Sequence, residues 1–273
     1  MAKKFSAALL LLMIGATNIV KADWPIGKKR VNFSPAFGYT SSPRYFDSTG
    51  KVRASANGGV YSTKTIGLYV ATGLSRRVDI FVNVPYSFVS ASDIYTSNGT
   101  SGFGDITTGI SYHTPSDDLK SYFTLKAQFY IPVYSNLVEP FLGYGSKGAQ
   151  IGVNYSFLPK TGQFTVVEGI IARYFDNVDG PTQLGLGISH GFQLPKFQSL
   201  TFVFNHLSSF SSNKIFSSNL NSNKNFMVGR IACSYGKRIS RTVTPYIQAS
   251  YSFYGRNVGQ GMTFALFLSI RLP

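Results

Sequence analysis

The residues best suited to covalent chemistry in this sequence are His206 and Ser208, which lie two positions apart in a run of strand-like sequence. Alternate residues of a strand face the same side, so the imidazole could take the serine proton and activate the hydroxyl as a nucleophile. No Asn or acidic residue is placed to orient the histidine, and further serines follow at positions 209, 211 and 212. The spacing therefore fits acyl transfer, but a serine-rich segment that happens to follow a histidine gives the same pattern, which lowers its specificity.

The other candidates for site chemistry are histidines and glycines. His113, His190 and His206 lie on three separate runs without acidic or cysteine neighbours at ligand spacing, so we expect no metal site. The glycines at 185, 187 and 191 do not match a dinucleotide-binding loop, and no helix follows them. We predict small residues on the inner face of a strand, and no cofactor.

A larger set of polar and charged side chains falls on one face of successive alternating runs. Buried charge is expensive unless it is paired or hydrated, so both signs together suit either a sealed interior with ion pairs or a polar channel. A turn centred on residues 116–117 would place Asp105 opposite Lys126 or one pair away, within reach of an ion pair. The predicted interior residues are Arg30, Asp79, Asn83, Asp105, Lys126, Gln128, Glu168, Arg230, Gln248, Arg256 and Arg271.

The elements that position these residues alternate with a period of two. In the stretch 102–133, Ile106, Thr108, Ile110 and Tyr112 share one face, and a second apolar face follows after a turn-rich segment. Similar runs continue to the C-terminus with no helical period and no break in composition. Twelve strands are predicted, at Arg30–Thr40, Val60–Leu74, Arg77–Ser90, Gly102–His113, Lys120–Tyr134, Lys147–Leu158, Gln163–Phe175, Pro181–Leu194, Leu200–Ser211, Asn225–Lys237, Thr242–Arg256 and Gly261–Leu272.

The connections alternate between short turns and mostly longer loops, with exceptions at 176–180 and 257–260. Long strands, an even strand number and tight turns at one end are typical of an all-β, closed antiparallel transmembrane β-barrel of the bacterial outer membrane. Closure is required because every backbone donor and acceptor in hydrocarbon needs an internal partner. Pro35 and Pro85 each remove a ladder donor, so we expect bulges or shifted strand boundaries there. The alternative fold is an exported β-sandwich.

The N-terminus predicts export. Lys3 and Lys4 precede an apolar run that ends at Val20, and small residues follow, as in a secretory signal peptide cut after Ala22. We therefore divide the chain into a signal peptide, residues 1–22, and a barrel domain, residues 23–273. The single cysteine cannot form an intramolecular disulfide. The net charge of +15 comes from scattered basic residues, which we interpret as part of solvated turns and loops rather than as a nucleic-acid site, with contact to lipid phosphates as a second interpretation.

The segment Gly102–Ile106, which reads GFGDI, and the alternation Gly109–Tyr112 after it resemble outer-membrane barrels of the meta-cleavage pathway of phenol degradation. The resemblance extends over most of the chain, including residues 23–25 and the turn 73–79. It implies a transporter of small, often aromatic, molecules. Many bacterial barrels end on an aromatic residue, whereas this chain ends on Leu272 and Pro273.

These observations predict a passive channel or uptake protein for small molecules, and not an enzyme. The preference for aromatic or apolar solutes follows from the resemblance alone. The expected partners are outer-membrane lipids and small-molecule solutes. Two other functions stay open, namely a lipid hydrolase using His206 and Ser208, whose spacing resembles that of outer-membrane lipid hydrolases, and a structural or adhesive barrel without transport.

Overall fold

The computed structural model describes residues 24–175, 179–217 and 220–273. The predicted signal peptide lies outside the described residues. In those ranges no helix is long and apolar enough to cross a membrane.

The described residues form strands throughout, with two short 3-10 turns in the loops at Ala56–Gly58 and Leu220–Ser222. The strands are β1 Val31–Phe46, β2 Val52–Ala54, β3 Val60–Gly73, β4 Val78–Ser92, β5 Ser97–Phe103, β6 Ile106–Pro115, β7 Ser121–Ile131, β8 Gly148–Phe157, β9 Gln163–Tyr174, β10 Thr182–Leu194, β11 Gln198–Phe210, β12 Phe226–Lys237, β13 Val243–Arg256 and β14 Val258–Leu272.

These strands close into one antiparallel barrel. Neighbours in sequence pair around the sheet, and β14 returns to pair with β1 from Leu272↔Val31 to Val258↔Phe46. The short β2 only extends the end of β1, and β5 and β6 pair with successive halves of β4, so they count as one wall strand. The wall therefore has twelve strands, as the sequence predicted, and it leaves no free edge in the membrane.

Side-chain burial follows the alternation. On β7 the apolar residues Phe123, Leu125 and Phe129 share one face and are exposed, whereas Thr124 and Tyr130 on the other face are buried. The last two strands repeat this arrangement, with apolar side chains outside and serine, threonine and other polar side chains inside. An apolar exterior around a polar interior is the reverse of a soluble sandwich, and it is the arrangement of a transmembrane barrel.

Both prolines coincide with irregular pairing. Opposite Pro85 the register changes between Asn83↔Thr107 and Tyr86↔Phe103, where β6 gives way to β5. In the pairing of β1 with β3, Pro35↔Leu68 and Ser42↔Tyr61 are paired, but no residues between these two pairs are. The expected irregularity is confirmed at Pro85, because a residue without an N–H cannot complete the ladder. At Pro35 the register of β1 and β3 is the same on both sides of the unpaired stretch and β1 continues through it, so the expected bulge or shifted boundary is not found there.

At three places the strands extend further than the sequence predicted. The run expected to end at Thr40 continues as β1 to Phe46, and the one expected at Gly261 begins as β14 at Val258. The loop predicted at 91–101 is mostly a hairpin of β4 and β5. These additional strand residues lie at the loop end of the barrel. Serine, asparagine and glycine take part in the strand pairing there, so the sequence no longer alternates between apolar and polar residues and does not show where the strands end.

The register of the β6–β7 hairpin corrects the predicted pair of Asp105 and Lys126. Lys126 pairs with Ser111, and Ile106 pairs with Ile131, which centres the turn near residues 118–119 instead of 116–117. Asp105 precedes β6 and lies six residues before Ser111, the residue that faces Lys126, so the two charged side chains cannot form a cross-strand pair. The turn is wider than a two-residue hairpin because Ser116 and Asp118 form their own hydrogen bonds within it.

Candidate functional site

The barrel encloses a cavity of about 920 Å³ that reaches the turn end of the lumen. Trp24, Arg241 and Pro273 border it at that end, where both described chain ends and the short turns lie. Its inner wall is formed by side chains of alternate residues from most strands, such as Lys126 on β7 and Gln248 on β13. An alternating sequence thus gives one continuous polar surface, because each strand contributes every second residue to the same side.

Nine of the eleven predicted interior residues border this cavity: Arg30, Asp79, Asn83, Lys126, Gln128, Glu168, Arg230, Gln248 and Arg271. Arg241, at the mouth, was not predicted, because it lies in a turn and not on an alternating run. The cationic side chains outnumber the acidic ones, five to two, among the lining residues that the structure describes. The described lining of the lumen therefore carries an excess of positive charge.

Arg256 does not border the cavity, because a bulge turns this part of β13 around. Gly229 pairs with Tyr254 but Arg230 pairs with Ser252, so Phe253 is an extra residue in its strand. One extra residue reverses the faces of all that follow. Arg256 pairs instead with Met227, outside the lumen, and the prediction that it faces the interior was wrong.

Asp105 lies outside the cavity for a different reason. It occupies the break between β5 and β6, and its Oδ1 accepts a hydrogen bond of 2.8 Å from the hydroxyl of Tyr134. The same hydroxyl accepts a bond from the backbone N–H of Gly145 at 3.1 Å. Asp105 therefore holds the loop 132–147 against the wall.

Three apolar clusters occupy the lumen at the loop end, beyond the cavity. In one of them Leu142 and Leu220, from two different loops, pack with Tyr61 and Val89 of the wall. The second cluster contains Phe46, Phe226, Val228 and Val258, and the third contains Tyr130, Ala172 and Tyr174 with Tyr144 packed against it. These side chains narrow the barrel on the loop side, so the cavity opens more widely on the turn side.

A buried chain of hydrogen bonds near the mouth was not predicted from the sequence. Asp79 Oδ2 lies 3.0 Å from His113 Nε2, and His113 Nδ1 lies 2.9 Å from the hydroxyl of Thr124. The same carboxylate oxygen accepts a 2.9 Å bond from the backbone N–H of Ile26, which holds the N-terminal segment at the mouth. The alternation of faces along the strand could have placed His113 inside, since it lies on the same face as Thr107 and Ser111. Its acidic partner could not have been found, because that pairing depends on register.

Arg230 lies further from the mouth and has a different environment. It is only 8% exposed, and its Nε donates to Ser252 Oγ at 3.2 Å. Its Nη2 has no hydrogen-bond partner, and no carboxylate forms an ion pair with it among the residues that the structure describes. An Arg buried in this way retains unused donor capacity next to the cavity.

His206 and Ser208 lie on the outer face. They pair with the exposed Leu186 and Leu184, and paired residues share a face. His206 Nε2 lies 2.9 Å from Ser208 Oγ, and its Nδ1 lies 2.6 Å from the hydroxyl of Tyr254. The β13 bulge turns Tyr254 outward over Gly229, which leaves room for its ring. The group that orients the histidine is thus a tyrosine, which the sequence search for Asn or acidic residues missed.

Among the described residues, no group of three or more His, Cys, Asp or Glu side chains is arranged to hold a metal ion. His190 contacts Thr165 through Nδ1, at 2.9 Å, and not a carboxylate.

No protein-family model matches this sequence, and no curated protein matches it. Solved structures do match. An outer membrane channel from Pseudomonas putida F1 superposes with a TM-score of 0.75 at 12% identity, over 92% of this chain and 99% of that one. The fold is that of bacterial outer-membrane barrels.

Two further structures show how widely this fold is shared. The NanC porin superposes with a TM-score of 0.55 at 11% identity, over 88% of this chain and all of that one. The β domain of the Bordetella autotransporter BrkA gives 0.52 at 10% identity, over 90% and 100%. Identities this low show a common fold only, since similar barrels carry different functions.

Proposed function

We propose that this protein is a passive channel or uptake protein of the outer membrane for small molecules. The observation that carries the proposal is the cavity of about 920 Å³ inside a closed barrel, lined by polar and charged side chains, because a barrel whose interior is filled by side chains leaves no such space. The similarity to two barrels described as a channel and a porin supports the proposal. The sequence resemblance to phenol-degradation barrels supports aromatic solutes among those carried.

Liposome swelling tests this function. Vesicles containing the purified protein should swell in isosmotic solutions of small solutes faster than empty vesicles, and the rate should fall as solute size increases. Heat-denatured protein incorporated in the same way is the control. Swelling no faster than in empty vesicles for every solute would support a structural or adhesive barrel instead.

The second candidate function is lipid ester hydrolysis, and the geometry of His206, Ser208 and Tyr254 favours it. When the imidazole proton is on Nδ1, Tyr254 Oη accepts it and Nε2 accepts the proton of Ser208. Ser208 Oγ would attack the ester carbonyl and transfer its proton to Nε2, which then protonates the leaving alkoxide. Water, deprotonated by His206, would release the acid and restore Ser208.

This hydrolase has a direct test with a matched control. Ser208→Ala should abolish acyl release from phospholipid in mixed micelles and leave solute permeation unchanged. Thr165→Val removes another hydroxyl that contacts a histidine on the outer face, at 2.9 Å, and it should retain full acyl release. The absence of acyl release from the wild-type protein removes this candidate.

A further inference from the structure

One row of inner-face residues crosses four neighbouring strands at the level of Arg230. Glu168 on β9 pairs with Gly187 on β10, which pairs with Asn205 on β11, and Asn205 pairs with Arg230 on β12. Directly paired side chains lie about 4.5–5.5 Å apart at Cβ, so the amide of Asn205 and the guanidinium of Arg230 are neighbours. Both border the cavity.

The two neighbours have hydrogen-bond donors to spare. Arg230 makes a single side-chain hydrogen bond, to Ser252, and its Nη2 has none among the described residues. The side-chain amide of Asn205 likewise forms no hydrogen bond with any residue that the structure describes. An unpaired buried guanidinium is costly, whereas a carboxylate that accepts from its planar fork offsets the cost.

Gly187 leaves the space beside this pair open. A Cβ at this position would lie 2.8 Å from the Oδ1 of Asn205, so any side chain would crowd the amide. On the same inner face, Leu207 and Val203 flank Asn205 along β11, and Ile170 lies nearby on β9. The carboxylate of Glu168 also borders this space, with its Oε2 3.8 Å from the same Cβ, and Glu168 lies three strands away from Arg230. The side of the space nearest Arg230 thus combines hydrogen-bond donors with the apolar side chains of Leu207 and Val203, which suits a ligand with one charged end and an apolar body.

We propose that Arg230 and Asn205 form a binding subsite for a small organic monocarboxylate, whose carboxylate accepts from both side chains while its apolar body contacts Leu207 and Val203. The subsite deepens the proposed channel function and rests on it for its role in uptake. Binding itself does not require permeation, so the two can be tested separately.

Isothermal titration of the detergent-solubilised protein tests the subsite, with hexanoate as the probe and hexanamide as its neutral counterpart. Hexanoate should bind at least tenfold more tightly than hexanamide, because a hydrogen bond to a charged group is roughly twice as strong as a neutral one. Acetate, which lacks the apolar body, should bind more weakly than hexanoate.

Three variants and a control locate the binding. Arg230→Gln should weaken hexanoate binding about tenfold or more, Asn205→Leu should weaken it less, and Gly187→Val should block it by filling the open space. Arg238→Gln removes a cation that stacks on Phe197 at a turn, outside the cavity, and should bind as the wild type does. Each variant is first checked for a folded barrel by its mobility on an unheated gel.

Equal affinity for hexanoate and hexanamide, wild-type affinity in folded Arg230→Gln, or no binding of hexanoate by the wild type would overturn the subsite. None of these results bears on liposome swelling with uncharged solutes. A protein that swells liposomes and fails to bind hexanoate keeps the channel and loses the subsite. A protein that binds hexanoate without swelling liposomes keeps the subsite and loses the channel.

Discussion

Individual residues in this barrel have roles set by the strand break or bulge next to them. Asp105 stands at the break between β5 and β6 and therefore accepts from Tyr134 of a loop, instead of pairing with Lys126 across the hairpin. Tyr134 in turn accepts from the backbone of Gly145. One hydroxyl thus joins the barrel wall to both ends of the loop 132–147.

At this scale we predict that Tyr134→Phe destabilises the protein by about 1–3 kcal/mol, since it leaves a largely buried carboxylate and a backbone N–H without this partner. Urea unfolding in lipid vesicles measures the change. Tyr155→Phe is the control, because Tyr155 lies on the outer face, half exposed, and loses only an exposed hydroxyl. Equal midpoints for the two variants would show that the hydroxyl of Tyr134 does not hold the loop.

Neighbouring strands fit together by placing a glycine opposite an aromatic ring. Gly236 leaves room for the ring of Tyr246, Gly229 for Tyr254, and Gly191 for Phe164, each on an adjacent strand. A large ring lying flat against the wall covers the backbone of the strand beside it. The pattern occurs on both faces, since Tyr254 lies outside and Phe164 inside.

Gly191→Ala tests this arrangement at the level of the strand pair. The added Cβ would overlap the ring of Phe164, so overpacking should cost about 1–3 kcal/mol, measured by urea unfolding in vesicles. Gly38→Ala is the matched control, because a Cβ there meets no atom within 4 Å. Stability of Gly191→Ala equal to that of Gly38→Ala would mean that the ring moves aside at no cost.

The whole molecule combines a closed wall with an asymmetric lumen. The cavity extends to the turn end, whereas Leu142 and Leu220 meet at the loop end in an apolar cluster with two wall residues. Leu142 and Leu220 come from loops that fold into the lumen, so solutes that cross the barrel have to pass them, and we expect this cluster to limit their passage. Truncating its loop residues should widen the path without breaking the strand ladder.

Leu142→Ala combined with Leu220→Ala should therefore raise the rate of liposome swelling several-fold, most for the larger solutes. Leu125→Ala with Leu266→Ala is the control, since both residues are exposed on the outer face, and its rate should match the wild type. An unchanged rate in the double loop variant would place the limiting constriction elsewhere along the lumen.

The sequence by itself determined the strand number, the barrel and most of the lumen, because alternation records at each residue whether it faces lipid or the interior. Nine of eleven interior residues border the cavity for this reason. Only the tertiary structure decided what depends on register. The extra residue at Phe253 turned Arg256 and Tyr254 outward, and the hairpin register separated Asp105 from Lys126. Residues far apart in sequence, such as Asp79 and His113 or Asn205 and Arg230, meet only because the strands align at a register that local alternation does not encode.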